Sequence, residues 1–441
     1  MAETTQENSK QYPQISLTPL LAVNFIGAMG FSIVLPFLVF LVSKWGGNAL
    51  LYGLAGAIYS AFQLVGAPIL GKWSDRIGRR KILLLSQIGT LVSWLILIVA
   101  FTLPIDSLID IDSSVLGSFS LTLPLILLFV ARAADGLTGG NISVANAYLA
   151  DITPESSRNQ GFGKMAVSAN VGFVVGPAIA GLLGATAYGE IVPVIAAAVV
   201  SALAAILILV RLPESNPCLM TAPPEQTSIR KVLGQEQKEC FETASEGSVS
   251  FATIVADRKT LLLLVIYFLV MLGFSFFYVT FPAHAAGPLN WTVTQTGAFF
   301  AVTSILMVVV QGPVLKQVSK RWNERILIPI GGLILAVGFL FFVLPQTWQI
   351  YTGTTLLAAG NGLMWPSVVS LLSKVAGPKE QGAVQGLAGS VGAVASVVGL
   401  ILGGLLYGLI ESSVFALAAA TILVSFVLSL FVRVSPEATA G

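Results

Sequence analysis

The chain is poor in charge. Lysine, arginine, aspartate and glutamate make up 10% of its 441 residues, against roughly 25% in soluble globular proteins. So few ions cannot wet the surface of a chain this long, which points to lipid as its solvent. The single histidine, His284, and two cysteines, Cys218 and Cys240, exclude a histidine- or thiolate-rich metal site. The net charge of +2 is too small to suggest a nucleic-acid partner. No phosphate-binding Gly-x-x-x-x-Gly-Lys-Ser/Thr loop occurs, so ATP is not the expected drive. No hydrolase nucleophile pattern occurs either, so neither enzyme activity nor a cofactor is expected. The first 16 residues are polar and include Glu3, Glu7 and Lys10, unlike a signal peptide.

What the chain does have is apolar runs of spanning length, about 20 residues each. They fall near 17–43, 50–70, 82–103, 122–149, 161–184 and 189–211. A second set falls near 260–283, 295–315, 326–345, 348–373, 383–408 and 412–432. The expected fold is an all-α membrane protein of twelve transmembrane helices, in two six-helix pseudo-symmetric halves. Residues 1–211 form the first half, 212–258 a cytoplasmic linker and 259–441 the second half. The linker carries Pro213, Pro217, Pro223 and Pro224 and reads as a flexible tether, with a short surface helix possible at Ser228–Phe241. Gly occurs 43 times, mostly in the spans, where small residues let helices approach.

Basic residues set the orientation. Arg132 stands inside a span and Lys44 in an odd-numbered loop. The others gather on the opposite side, and loops 103–121, 184–190, 283–294, 345–348 and 408–412 have none. Both termini are therefore expected in the cytoplasm, with a plasma or bacterial inner membrane as the location.

The halves look like copies. A shift of 245 residues places Ser74 on Ser319, Arg76 on Arg321 and Arg80 on Arg325, while Asp75 falls on Lys320. Asp135-Gly136-Leu137 resembles Asn361-Gly362-Leu363. Such repeats mark secondary transporters, whose binding site lies near the midplane between the repeats.

Three segments carry charge or strain. Gly71, Asp75, Arg76, Gly78, Arg79 and Arg80 belong to a tight turn after the second span, where one acid stands among five bases. This reads as an ionic latch. Arg132 and Asp135 lie on one helical face well inside the fourth span, where a charge costs about 3 kcal/mol or more, so they should partner each other inside the bundle. One reading is a self-neutralised structural pair; the other is a proton site. Gly172, Gly176, Pro177 and Gly181 give the fifth span a small-residue face and a kink. The remaining interior polar and aromatic candidates for a small-molecule site are Gln63, Asn141, Asn146, Tyr267, Phe274, Phe277, Tyr278, Gln311, Asn361 and Trp365.

The turn Gly71–Lys81 resembles the signature loop of the major facilitator superfamily. Arg132–Gly136 is similar to the arginine motif of its drug:proton antiporter branch, and Gly172–Gly181 to the antiporter motif, with Ala180 replacing one glycine. Ala67-Pro68, Ala147–Asp151, Arg158 and Phe162-Gly163 are similar to the tetracycline-efflux group. The resemblance implies alternating access by two halves, with small-molecule export driven by proton entry, in a chain acting as a monomer. It also implies that Asp75 and Arg76 help lock the cytoplasmic side, with Asp151 as partner to the basic turn. Tetracycline exporters carry acids where Asn24 and, nearly, Ser93 stand here. Asn24 cannot carry a proton, which leaves Asp135 as the carrier and Asn24 as a substrate contact. A uniporter or symporter of a small metabolite on the same scaffold is the alternative.

Overall fold

The computed structural model describes residues 15–33, 37–139, 141–153, 155–215 and 256–432, and leaves the side chains of 141–142, 155–159 and 376–383 undescribed. The linker residues 216–255, with both cysteines and the expected helix at Ser228–Phe241, lie outside the described residues, as does the side chain of Asn141.

Helices follow the apolar runs, with differences at Gly and Pro. The first run holds α1 (Thr18–Ile33) and α2 (Leu38–Lys44), on either side of residues 34–36, which lie outside the described residues. The second and third spans are α3 (Ala49–Ile77) and α4 (Arg79–Ala100). The fourth divides into α5 (Leu123–Thr138) and α6 (Asn141–Ile152), with Gly139-Gly140 between. Then come α7 (Glu155–Gly184) and α8 (Ile191–Arg211). The second half opens with α9 (Arg258–Ala286) and α10 (Val293–Val309). A π-helical turn, Val310–Val314, leads to α11 (Leu315–Val318), α12 (Glu324–Phe341), α13 (Thr347–Ile410) and α14 (Val414–Ser429).

Helix α13 is 64 residues long, about 96 Å if straight, some three bilayer cores. It is not straight: Gln385 Nε2 lies 3.5 Å from the Val369 carbonyl, 16 residues away. Its two arms therefore turn back on each other and count as separate crossings. Eleven helical stretches are long and apolar enough to cross a membrane, and the last, Val384–Ser429, is 46 residues, enough for two. Among the described residues that makes twelve crossings.

The interval 103–121, expected as a plain loop in an all-α protein, contains an antiparallel hairpin: β1 (Ser107–Ser113) and β2 (Gly117–Thr122). Its alternation explains it. Asp110 and Asp112 pair with Ser120 and Ser118 on one face, while Ile111 pairs with Phe119 on the other. Phe119 and Leu121 pack against the core. Hydrogen bonds from Ser120 and then Ser107 hold the Asp110 carboxyl below the usual carboxylate range. The hairpin is fixed to the α2–α3 turn through Ser120 N to Gly46 O at 2.8 Å and Thr122 Oγ1 to Trp45 O at 2.7 Å. We call this side of the bundle the hairpin end and the opposite side, with Lys72–Lys81 and Lys316–Arg325, the basic end.

The outer faces are apolar. On α8, Val199, Leu203, Ile206 and Val210 form one stripe at helical spacing, each more than half exposed. A stripe like this is stable only against lipid. Inside, one core belongs to the second half. Another fills the hairpin end of the first half and takes in Val279, Ala283 and Val293 from the second. A third, with Leu70, Ile82, Tyr148 and Ile208, sits at the basic end of the first half.

Candidate functional site

The fourth-span pair is built by local geometry. Arg132 and Asp135 lie three residues apart on α5 and form an ion pair, with 7% and 5% of the two residues exposed. Asp135 Oδ1 also accepts a hydrogen bond from Thr90 Oγ1 of α4 at 2.9 Å. The Arg132 guanidinium lies 5.2 Å from the ring centroid of Tyr59 and 5.9 Å from that of Trp94. These aromatic faces are favourable to a cation removed from water. Gln63 Nε2 donates to the Tyr59 hydroxyl at 3.2 Å and to the Gly139 carbonyl at 3.0 Å, where α5 ends. Gly136 brings α3 this close, since a Cβ there would collide with the Tyr59 carbonyl. Ser93 lines a small cavity beside Arg132 with Trp94, Leu97 and Leu128, and its hydroxyl donates to the Gly89 carbonyl at 2.9 Å.

The turn at the basic end corrects the reading of Gly71–Lys81 as a loop. Helix α3 runs to Ile77 and α4 begins at Arg79, so Gly78 alone makes the turn, at φ +117°. That φ is open to glycine and strained for other residues. Arg79 is the hub. It pairs with Asp75, reaches Asp151 Oδ2 at 3.0 Å, and donates to Ser74 Oγ at 2.7 Å. Ser74 Oγ donates in turn to the Gly71 carbonyl at 2.7 Å. Glu214, just beyond α8, accepts the backbone N–H of Arg79 at 2.8 Å and of Arg80 at 3.2 Å. An acid at a helix N-terminus meets both the free N–H groups and the positive end of the dipole. Ser215 Oγ donates to Asp151 at 3.3 Å, and Arg80 Nη2 donates to the Leu209 carbonyl at 2.6 Å. Arg76 is exposed and stands outside this cluster. Four helix ends, those of α3, α4, α6 and α8, are thus tied together.

The α7 glycines serve two partners. A Cβ on Gly172 would come within 2.6 Å of the Phe25 carbonyl, and one on Gly176 within 2.7 Å of that of Met29, so both let α1 lie against α7. Gly181 turns to the other half: its Cβ would meet Gly297 Cα of α10 at 3.2 Å. Pro177, inside α7, presents its carbonyl to the same Gly297. On the opposite seam, Gly404 of α13 packs on Ala49 and Leu50 of α3, and the Tyr52 hydroxyl donates to the Tyr278 carbonyl at 3.2 Å. Both seams are tight at the hairpin end. At the basic end, Gly71, Gly386 and Gly389 face open space.

The candidate substrate residues fall into distinct places. Asn24 Nδ2 donates to the Met165 carbonyl of α7 at 2.8 Å. Tyr267 and Trp365 lie with ring centroids 4.8 Å apart, tilted by 44°. Phe274 is 5% exposed and belongs to the second-half core, 6.0 Å from the ring of Tyr278. Gln311 sits in the π-turn and accepts from Asn170 Nδ2 of α7 at 3.4 Å. Asn361 Nδ2 lies 3.8 Å from Met307 Sδ. His284 Nδ1 lies 3.3 Å from the Tyr407 hydroxyl. Thr90, Tyr59, Glu214, Ser215 and Asn170 were not singled out from sequence, and Ser74 only as a matched position of the repeat. Thr90, Glu214, Ser215 and Asn170 meet their partners through tertiary contact, which spacing does not report.

The sequence profile of the Major Facilitator Superfamily matches residues 20–261 and 263–441. The chain is 29% identical over 391 residues to the class E tetracycline resistance protein of Escherichia coli, covering 88% of this chain and 86% of that one. It is 26% identical to multidrug resistance protein 1 of Bacillus subtilis, covering 94% and 96%. In fold it is similar to the human organic anion transporter MFSD10, at TM-score 0.64 and 21% identity over 94% of this chain and 98% of that one. A profile match over nearly the whole length, twelve crossings in two halves and a glycine-hinged basic turn joining the second and third spans agree: this multi-pass membrane protein is a transporter of the Major Facilitator Superfamily, not an enzyme.

Proposed function

We propose that the protein exports amphipathic small molecules in exchange for protons, by alternating access, with Asp135 as the proton carrier. The observation that carries this is the Arg132–Asp135 pair. Among the described residues it is the one ion pair with both side chains under a tenth exposed. When Asp135 takes a proton, the pair loses its attraction, and the Tyr59 and Trp94 faces hold the released guanidinium. Thr90 keeps its hydrogen bond to either form of the carboxyl. The relatives named tetracycline and multidrug resistance proteins support a drug-like cargo.

The remaining assignments follow from this reading. The basic end faces the cytoplasm, by the distribution of arginine and lysine, in a plasma or bacterial inner membrane. With the seams tight at the hairpin end, the described conformation is the inward-facing one. In this conformation Asp75, Arg79 and Asp151 are paired within the first half, and the latch closes when the basic turn, Arg76 included, engages the second half. Residues 1–211 and 259–441 move as the two bodies, in a monomer surrounded by lipid. A second reading, uniport or symport of a metabolite, is favoured by Asn24 and Ser93. Both are bound to backbone carbonyls, Asn24 where tetracycline exporters carry an acid and Ser93 near such a place.

Inside-out vesicles loaded with a pH-sensitive dye and made acid inside test the first reading. Compound-dependent alkalinisation, lost in Asp135→Asn, is expected. Transport that survives collapse of the proton gradient would move the assignment to the second reading.

A further inference from the structure

The α7–α10 seam carries a polar contact that the family reading does not use. Asn170 stands eleven residues before Gly181 on α7, three helical turns nearer the basic end and on the same face. Across the seam its Nδ2 donates to Gln311 Oε1 at 3.4 Å, so one amide from each half meets within the spans, on the basic-end side of the Gly181–Gly297 contact. Gln311 lies in the π-turn Val310–Val314, next to Pro313 and to Gly312, whose α-hydrogen face is open. π-turns interrupt α-helices frequently at functional positions. An amide side chain has both donors and an acceptor. The bond uses one hydrogen of Asn170 and the oxygen of Gln311. Asn170 Oδ1 and Gln311 Nε2 are left without a partner among the described residues. Around the amides stand exposed apolar side chains, Val167 at 63%, Val171 at 42% and Val309 at 45%. One acceptor beside one donor, within an apolar surround, is the arrangement of a site for an amphipathic molecule.

We propose that Asn170 and Gln311 are the polar recognition point for the cargo. They select molecules that present a hydrogen-bond donor and acceptor side by side, such as a carboxamide or a keto–enol edge. Seating such an edge replaces the amide–amide bond and so releases this tie between the halves. The inference rests on the proposed export of amphipathic molecules, which it narrows to a substrate class.

The test is equilibrium binding to the purified chain in lipid nanodiscs without a proton gradient. The probes are tetracycline, which carries such an edge, and tetraphenylphosphonium, which does not. Asn170→Ala and Gln311→Ala should each weaken tetracycline binding at least tenfold. The double variant should be little weaker than the worse single one, and tetraphenylphosphonium should be unaffected. Thermal melting reports whether each variant keeps its fold; Asn170→Leu and Gln311→Leu replace any variant that does not. Equal losses on both probes, unchanged tetracycline binding, additive losses, or no tetracycline binding to the wild type would each overturn the proposal. Proton exchange plays no part in this measurement, so the vesicle assay judges the export reading separately.

Discussion

The two halves repeat a tie at the basic end with its charges reversed. In the first half Arg79, at the start of α4, reaches Asp151 at the end of α6. The 245-residue shift carries Arg79 onto Glu324, at the start of α12. Glu324 pairs with Lys374 of α13 at 2.6 Å and accepts from Ser370 at 2.9 Å. The link between the third and fourth spans is kept in both copies while its sign is not. What the repeat retains is therefore the mechanical connection, and the polarity is free to differ. The interiors diverge in the same way. Where the first half has the buried Asp135 with Arg132, the second has Asn361 against Met307. Pro68 is accommodated within α3, while Pro313 sits in a π-turn. Among the described residues the buried ion pair belongs to the first half alone, while the amides of the proposed recognition point come one from each half.

The largest break in that comparison should come from removing one buried charge. Arg132→Met leaves Asp135 buried without its partner, a loss of about 3–5 kcal/mol. In the second half Asn361→Leu, at the position matching Asp135, should cost about 1 kcal/mol or less, because no charge is stranded. Melting of the two variants in nanodiscs checks the difference. The double variant Arg132→Met with Asp135→Asn should regain most of the stability yet fail to exchange protons. A single variant as stable as the wild type would mean that water reaches the pair.

The seams offer the next contrast. At the hairpin end Gly181→Val has no room, with Gly297 Cα 3.2 Å and the Thr294 carbonyl 3.3 Å from its new Cβ. It should cost about 1–3 kcal/mol by overpacking and expose the hairpin-end seam to a water-soluble thiol reagent at an engineered Thr294→Cys. Gly386→Ala, which faces open space, should stabilise by up to about 1 kcal/mol through helix propensity. The opposite signs are the point of the test, since the same residue type is altered in both.

Exchanging polarity sharpens the comparison of the ties. Arg79→Glu should cost about 2 kcal/mol, because Arg79 and Asp151 are largely buried, at 12% and 17% side-chain exposure. Adding Asp151→Lys gives the first half the charge order of the second and should recover more than half of that loss. Glu324→Lys breaks a pair whose Lys374 is 38% exposed, so about 1 kcal/mol or less is expected. No recovery in the double variant would show that Asp75 and Ser74, which also hold Arg79, dictate its charge.

Most of the architecture was legible because it follows from hydrophobic length. The Arg132–Asp135 pair was legible because three-residue spacing is local. The hairpin was not, although Ser-Leu-Ile-Asp-Ile-Asp-Ser alternates at period two, because a twelve-helix expectation makes any interval between spans look like a loop. The extent of α3 was missed because Lys72 to Arg76 lower the hydropathy without breaking the helix. Glu214 stands 135 residues from the N–H group it caps, and Asn170 stands 141 residues from Gln311. Nothing in the spacing of either residue points to its partner. Phe274 and Tyr278, one turn apart, could not be told from a cavity wall until the packing separated a core ring from a half-exposed one.

The smallest effect compares how the first span of each half begins. Ser16 Oγ accepts from Thr18 N at 3.4 Å, a long, neutral contact. Asp257 accepts from Thr260 N at 3.0 Å and Thr260 Oγ1 at 2.6 Å. Partial burial pushes the Asp257 carboxyl up, but the Thr260 and Lys259 contacts outweigh it and hold the carboxyl below the usual range. A depressed value in the folded state means that the cap stabilises above the unfolded carboxylate pKa, near 4. The contribution is lost as pH falls through the lower folded value. Asp257→Ala should cost about 1 kcal/mol at neutral pH and progressively less below about pH 4. Ser16→Ala should cost a few tenths at most and show no such pH dependence. Equal, pH-independent losses at the two sites would mean that the Asp257 charge adds nothing to its cap.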